Sequence, residues 1–248
     1  MNELKKEELE FIHEKSFELL CAFKTICEKA GIWYTLVGGT LLGAVREKGF
    51  IPWDTDVDVA IKIVDKEAFR KAFLSNKPDG IKLKNYDTEK KCLQSHDTLL
   101  FEKEFGIGDI HLDIYPFVGA PNNQKEQQKF ARNSFYMDKI LRSKYSKLSL
   151  CKKKNRFIVF CVKTLLFFFP TKFLKKNIKR RETKYNFDSA EYWMTLSNYG
   201  SYKNCIPTKI FEESVEVVFN GELFKGPKGW DEYLTRYYGE DYMTPKKY

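Results

Sequence analysis

The segment GFIPWDTDVDVAI, residues 49–61, holds three aspartates at alternate positions: Asp54, Asp56 and Asp58. In an extended strand, side chains two residues apart share a face and lie about 7 Å apart along the chain. Val57, Val59 and Ile61 fill the other register, which reads as an interior strand. Carboxylates crowded on one face repel one another, and burial raises the cost of each charged form. Hard divalent cations such as Mg²⁺ remove that conflict, because they bind through a few carboxylates together with substrate phosphate oxygens. Two such ions about 3.5–4 Å apart are a common device for phosphoryl transfer. The chemistry calls for a further acid from a neighbouring strand, and DIHLDIYPF supplies Asp113 between Leu112 and Ile114. A carboxylate in so apolar a strand needs a partner. Asp109, at the start of that stretch, reads as a turn residue. The structural alternative is a calcium site or a solvated edge strand.

Upstream, Gly38 and Gly39 close an apolar strand and precede a helix. Such a turn lets backbone N–H groups approach a phosphate, and the helix N-terminus adds positive potential. Thr40 offers a hydroxyl, and Arg46 offers a planar fork for phosphate oxygens.

These residues need elements to hold them. Apolar residues in the first thirty positions recur at spacings of three and four, which predicts a long helix over 3–30 ended by Gly31. IWYTLV (32–37) reads as a strand, then the glycine turn and a short helix, then the aspartate strand over roughly 55–63. DKEAFRKAFLSN predicts a helix with Asp65 near its start. Short strands follow around 80–85, 98–104 and 110–115, and 123–150 reads as a polar helix. The pattern is mixed α/β. Its organisation divides into a catalytic core over 1–122, a helical basic and apolar segment over 123–190, and a C-terminal part over 191–248 that packs back on the core. Apolar residues make up 43% of the chain, enough for a sizeable core.

The net charge of +9 is concentrated. Lys139–Lys184 carries sixteen Lys and Arg against the single acid Glu182, so the rest of the chain is net acidic. Within that stretch lies RFIVFCVKTLLFFFP (156–170), shorter than the roughly 20 apolar residues that span a bilayer. Lysines crowd both ends. A short apolar helix flanked by cations fits the interface of an anionic membrane; a buried core helix and a true span are the competing readings. No nucleic-acid motif accompanies the charge, which excludes nucleic acid as the expected partner. The six cysteines form no C-x-x-C pair and the three histidines complete no zinc spacing. The charged start, MNELKKEELE, has no apolar signal core. The expectation is a cytoplasmic protein with reduced thiols, peripheral on the inner face of the cell membrane.

LVGGTLLGAVREKGFIPWDTDVDVAI resembles the signature of the LicD family of phosphotransferases, related to fukutin and the fukutin-related protein. The usual W-D-D-D-I-D becomes Trp53-Asp54-Thr55-Asp56-Val57-Asp58 here. Alternation turns Thr55 away from the acids, so metal binding is expected to survive the change. HLDIYPF resembles the family's next acidic strand, and VVFNGELFKGPKGWDEYLTRYYGEDYM resembles its ending. The resemblance covers roughly residues 5–120 and 190–245. It implies a nucleotidyltransferase-type fold, a small mixed sheet flanked by helices. It implies transfer of a phosphorylated alcohol, often choline, from a CDP-activated donor to a sugar hydroxyl, with release of CMP. Asp56 and Asp58 match the metal-binding D-x-D and Asp113 the third acid; Asp54 is an alternating or outer ligand.

On this reading Mg²⁺ or Mn²⁺, as two ions, bridges the donor phosphates, and Gly38, Gly39, Thr40 and Arg46 hold the diphosphate. Asp113 is the candidate general base, with a metal-ligand role competing. A quaternary ammonium prefers aromatic faces, so Trp53, Trp193 and Tyr115 are the pocket candidates, with Trp33, Tyr34 and Tyr199 behind them. The acceptor is a surface-glycan hydroxyl of lipopolysaccharide, teichoic acid or capsule type, on a lipid carrier. CDP-ethanolamine, CDP-ribitol and CDP-glycerol are alternative donors. Nucleotidyl transfer releasing pyrophosphate and a non-enzymatic membrane adaptor are the readings of other classes.

Overall fold

The computed structural model describes residues 6–88, 96–107, 110–145, 156–167, 170–196 and 201–245. Asp109, Tyr199 and the lysine run at 152–154 lie outside them. Helix α1 (Lys6–Ala30) buries Ile12, Ser16, Leu19, Leu20, Phe23, Ile26 and Cys27, the stripe expected of a helix with one side in a core. It ends where Gly31 takes a left-handed φ of 64°, a conformation that suits glycine. Strand β1 (Tyr34–Leu36) and helix α2 (Gly38–Arg46) follow. Strand β2 spans Val57–Lys62 and pairs antiparallel with β1, Tyr34 opposite Ile61 and Leu36 opposite Val59.

One sequence expectation is corrected here. Only Asp58 of the three alternating aspartates lies in β2; Asp54 and Asp56 sit in the irregular segment before it. The cause is local. Pro52 has no N–H to give a ladder, and the Asp54 N–H closes a turn on the Ile51 carbonyl at 2.9 Å.

Helix α3 (Lys66–Ser75), strands β3 (Ile81–Lys84), β4 (Asp97–Phe101) and β5 (His111–Ala120) complete the sheet, in the order β1-β2-β5-β4-β3. Strands β3, β4 and β5 pair antiparallel in succession. In the middle sits β5, whose residues from Leu112 to Ala120 are all buried, which is why it reads as an apolar run. The result is a mixed α/β fold, a curled sheet flanked by helices.

The chain divides into two units. The first comprises Met1–Lys84, Asp97–Pro116 and Pro207–Tyr248. Besides the elements above it holds the hairpin β8 (Ser214–Phe219) and β9 (Glu222–Pro227) and helix α7 (Trp230–Tyr238). The hairpin turns on Asn220-Gly221, both at positive φ, as a two-residue turn between twisted strands requires. In the same unit Arg70 grips Asp97 with Nε at 2.7 Å and Nη2 at 2.8 Å, and both residues are buried. Asp97→Ala removes the buried partner and leaves the guanidinium only the exposed Glu67, 2.6 Å from Nη1, and is expected to destabilise the fold by about 3 kcal/mol. Chemical denaturation measures it, and a loss below about 1 kcal/mol contradicts the account.

The second unit comprises Asn85–His96 and Phe117–Ile206. The last residues of β5 pair there with β6 (Tyr192–Met194), which also pairs with β7 (Ile206–Pro207). Helix α4 (Gln124–Tyr145) carries α5 (Arg156–Phe167) and α6 (Thr171–Glu182), each packed against it. Among the described residues no single helix is long and apolar enough to cross a membrane. Taken together α5 and α6 reach that length, but their axes bend by 97°.

Candidate active site

The turn from β1 into α2 brings two backbone atoms against two carboxylates. A Cβ on Gly38 would stand 2.9 Å from Asp58 Oδ2, and one on Gly39 would stand 2.6 Å from Asp54 Oδ2. Neither position admits a side chain without displacing a carboxylate. Gly38 also has a φ of 55°, in the left-handed region. The glycine pair is therefore where the chain gives way to the acids.

The neighbourhood is pinned on several sides. The Asp58 N–H donates to Thr40 Oγ1 at 2.8 Å, and the Val37 N–H donates to the Asp58 carbonyl at 3.3 Å. The Gly38 N–H donates to the Tyr233 hydroxyl, 3.1 Å away, from α7. His13 of α1 binds the Asp54 carbonyl through Nε2 at 2.8 Å, and its ring stacks on Phe50 at 4.3 Å. Facing a carbonyl, that nitrogen must carry the proton. On β4, Thr98 lies opposite Asp113 and its hydroxyl donates to Oδ1 at 3.2 Å. The Tyr115 hydroxyl donates to Asp113 Oδ2 at 3.4 Å.

The charge conflict expected from the sequence is present. Burial pushes the Asp58 carboxyl well above the usual range, and Asp56, Asp113 and Asp54 push it further. Burial raises Asp54 to about 7, reinforced by the charge of Asp56 and a hydrogen bond to it. Among the described residues Asp58 Oδ1 is buried with no hydrogen-bond partner. Native Asp54 thus keeps a proton that the unfolded chain has released between its ordinary value of 3.8 and about 7. Across that window the native state binds more protons, so stability falls as pH rises. In EDTA the melting temperature should be several degrees higher near about pH 5 than near about pH 8, and Mg²⁺ should restore it at the higher pH. A flat profile would mean that the carboxylates are already compensated.

Among the described residues no three His, Cys, Asp or Glu side chains form a ready coordination sphere. The donors present still fit a cation of the magnesium type, which takes one or two carboxylates and leaves the remaining positions to water and phosphate. The orphaned Asp58 Oδ1 is the atom such an ion would satisfy.

Other expected site residues are placed differently. Thr40 is buried, and its hydroxyl holds the Asp58 backbone. Arg46 ends α2, about 12 Å along the helix from Gly38 at 1.5 Å per residue. Its guanidinium donates to Glu47 at 2.7 Å and to the Tyr242 carbonyl at 2.9 Å, with the side chain 7% exposed. Trp53 is 37% exposed beside the aspartates. Tyr115 is buried, its hydroxyl on Asp113. Trp193 belongs to the second unit, stacked on Phe187 at 4.6 Å and Phe117 at 6.0 Å. Sequence reasoning assigned no site role to Tyr233, His13 or Thr98. For Tyr233 the C-terminal WDEYL stretch was the available signal.

The family model described as LicD/FKTN/FKRP, nucleotidyltransferase domain, matches residues 31–152, which span the glycine turn, the aspartates and β5. A protein of Haemophilus influenzae, lipopolysaccharide cholinephosphotransferase LicD, is 30% identical over 237 residues, covering 91% of this chain and 87% of that protein. The chain belongs to the LicD family. The human and mouse proteins named ribitol 5-phosphate transferase FKRP are each 52% identical over 40 residues, 16% of this chain and 8% of theirs.

Proposed function

We propose that this LicD-family protein is a transferase that moves phosphocholine from CDP-choline to a hydroxyl of a bacterial surface glycan and releases CMP. The observation that carries this reading is the uncompensated charge of Asp58, with Asp54, Asp56 and Asp113 around it, in a chain similar over most of its length to a lipopolysaccharide cholinephosphotransferase. A nucleotidyltransferase-like fold for the first unit is part of the same proposal, supported by the name of the matching family model.

Asp56, Asp58 and Asp113 would hold Mg²⁺ or Mn²⁺, with Asp54 as an alternating or outer ligand. A bound cation supplies neutralisation of the charge that gathers on the departing CMP. The remaining work falls to the chain. Gly38 and Gly39 keep the approach to the carboxylates open. Tyr233 and Thr40 fix the turn and the Asp58 backbone. Thr98 and Tyr115 orient Asp113, which receives the proton of the attacking hydroxyl through whichever oxygen is free of metal. Trp53, exposed beside the acids, is the aromatic face offered to a quaternary ammonium. Arg46 supports the C-terminal segment from its place at the far end of α2.

A ribitol phosphate donor is the second reading, favoured by the short segment shared at 52% identity with FKRP. Calorimetric titration of CDP-choline, CDP-ethanolamine and CDP-ribitol, with Mg²⁺ and with EDTA, tests both. Metal-dependent binding that prefers CDP-choline supports the first reading, and preference for CDP-ribitol supports the second. Absence of metal-dependent binding by every CDP donor rejects the transferase.

Placement on the inner face of the cell membrane is proposed from α5. Phe157, Ile158, Phe160 and Leu165 are exposed on one broad side of it, Phe157 by 76% and Leu165 by 70%. Cations of α6 continue the basic stretch, as a helix lying on anionic lipid requires. Replacing Phe157, Phe160 and Leu165 together by Ser should lower binding to phosphatidylglycerol vesicles at least tenfold in co-sedimentation. Unchanged binding would remove α5 from the membrane.

A further inference from the structure

In the second unit, α4 and α6 leave a cleft of about 340 Å³ between them. Lys129, Arg180, Arg181 and Lys184 line it against one acid, Glu126. Among the described residues none of these four cations forms an ion pair with a carboxylate. The floor is aromatic. Phe130 is buried, with the Arg181 guanidinium 5.9 Å and the Lys184 ammonium 5.3 Å from its ring centre. Lys184 also stands 5.1 Å from the ring centre of Tyr185. Arg181 is half-buried and anchored: its Nη1 donates to Ser134 Oγ at 3.4 Å, and that hydroxyl donates to the Phe130 carbonyl at 2.8 Å.

Lys129, Arg180 and Lys184 are exposed, and the half-buried Arg181 joins them. Here like charges converge on one concavity, and burial lowers the Arg181 pKa, as it does for a charge without a full partner. Ring faces attract cations but leave their hydrogen-bond donors unspent. Two guanidinium forks match the oxygens of a tetrahedral oxyanion, and two ammonium groups add charge without geometric demand. The excess of three positive charges suits a diphosphate better than a carboxylate. The amides of Asn133 and Asn177 border the cleft and suit an attached polar group. At about 340 Å³ its size fits one head group.

We propose that this cleft is an anion site of the second unit, separate from the aspartates, that binds a phosphate or diphosphate group, either soluble or borne on a lipid. The test uses the full chain in EDTA, which removes metal-dependent binding at the carboxylates, so the outcome is independent of the transferase reading. Inorganic pyrophosphate titrated calorimetrically should bind. Arg181→Gln with Lys184→Gln should weaken it at least tenfold. Lys77→Gln with Lys228→Gln, an equal loss of charge from the first unit, should leave it unchanged. If the Arg181 variant fails to fold, Lys129→Gln with Arg180→Gln replaces it, since both side chains are exposed. No binding by the unmodified chain, or equal weakening in the two pairs, overturns the proposal. Vesicles of phosphatidylcholine with and without phosphatidate separate the sources. Loss of phosphatidate-dependent binding in the cleft variant assigns a lipid-borne phosphate, and retention of it beside lost pyrophosphate binding assigns a soluble one.

Discussion

Asp58→Asn is expected to lower transfer by about 10³-fold or more, the scale seen when a group that stabilises transition-state charge is removed. Asp58 is the one acid of the trio that lies in β2, and among the described residues its Oδ1 has no hydrogen-bond partner. An amide keeps the shape but cannot neutralise a cation, so the metal proposed here would be lost or held out of place. The same substitution should raise the stability of the metal-free protein by on the order of 1 kcal/mol, because a desolvated carboxylate repelled by three others disappears. Inactivity joined to a higher melting temperature in EDTA is the diagnostic pair, read by CMP release and by thermal denaturation. Lost activity with lower stability would make Asp58 a structural residue.

Gly38→Ala is expected to cut transfer by about 10²-fold, since misplacing a reacting group by about 1 Å has that effect. The new methyl would lie 2.9 Å from Asp58 Oδ2, and the group forced to move is the carboxylate proposed to bind the ion. The left-handed φ adds strain of about 1 kcal/mol for a residue with a side chain. Metal affinity should fall along with activity. An Ala variant of full activity, its fold verified by circular dichroism, would show that the glycine serves only the turn.

Much of this was legible because it is local. The stripe of α1, the strand–glycine–helix turn and the apolar run around Asp113 are written in neighbouring residues, and each appears where its spacing puts it. The limits of local reading are equally specific. Alternation placed three aspartates on one strand, whereas Pro52 and the turn at Asp54 start β2 at Val57. Arg46 resembled a phosphate fork by type and position, yet its guanidinium meets a carbonyl 196 residues away. Thr40 reads as a hydroxyl offered to a phosphate, and that hydroxyl accepts the Asp58 N–H from a buried position.

By itself the sequence determined which acids would crowd together and which family they resemble, and it raised the expectation of a cation among them. Only the tertiary structure decided how they are held. Tyr233, 195 residues beyond Gly38, supplies the acceptor for that glycine's N–H, and His13 reaches the Asp54 carbonyl across 41 positions. Hydrogen bonds of that span leave no periodicity in the chain. They form because burial leaves each polar group only the partner that packing brings to it.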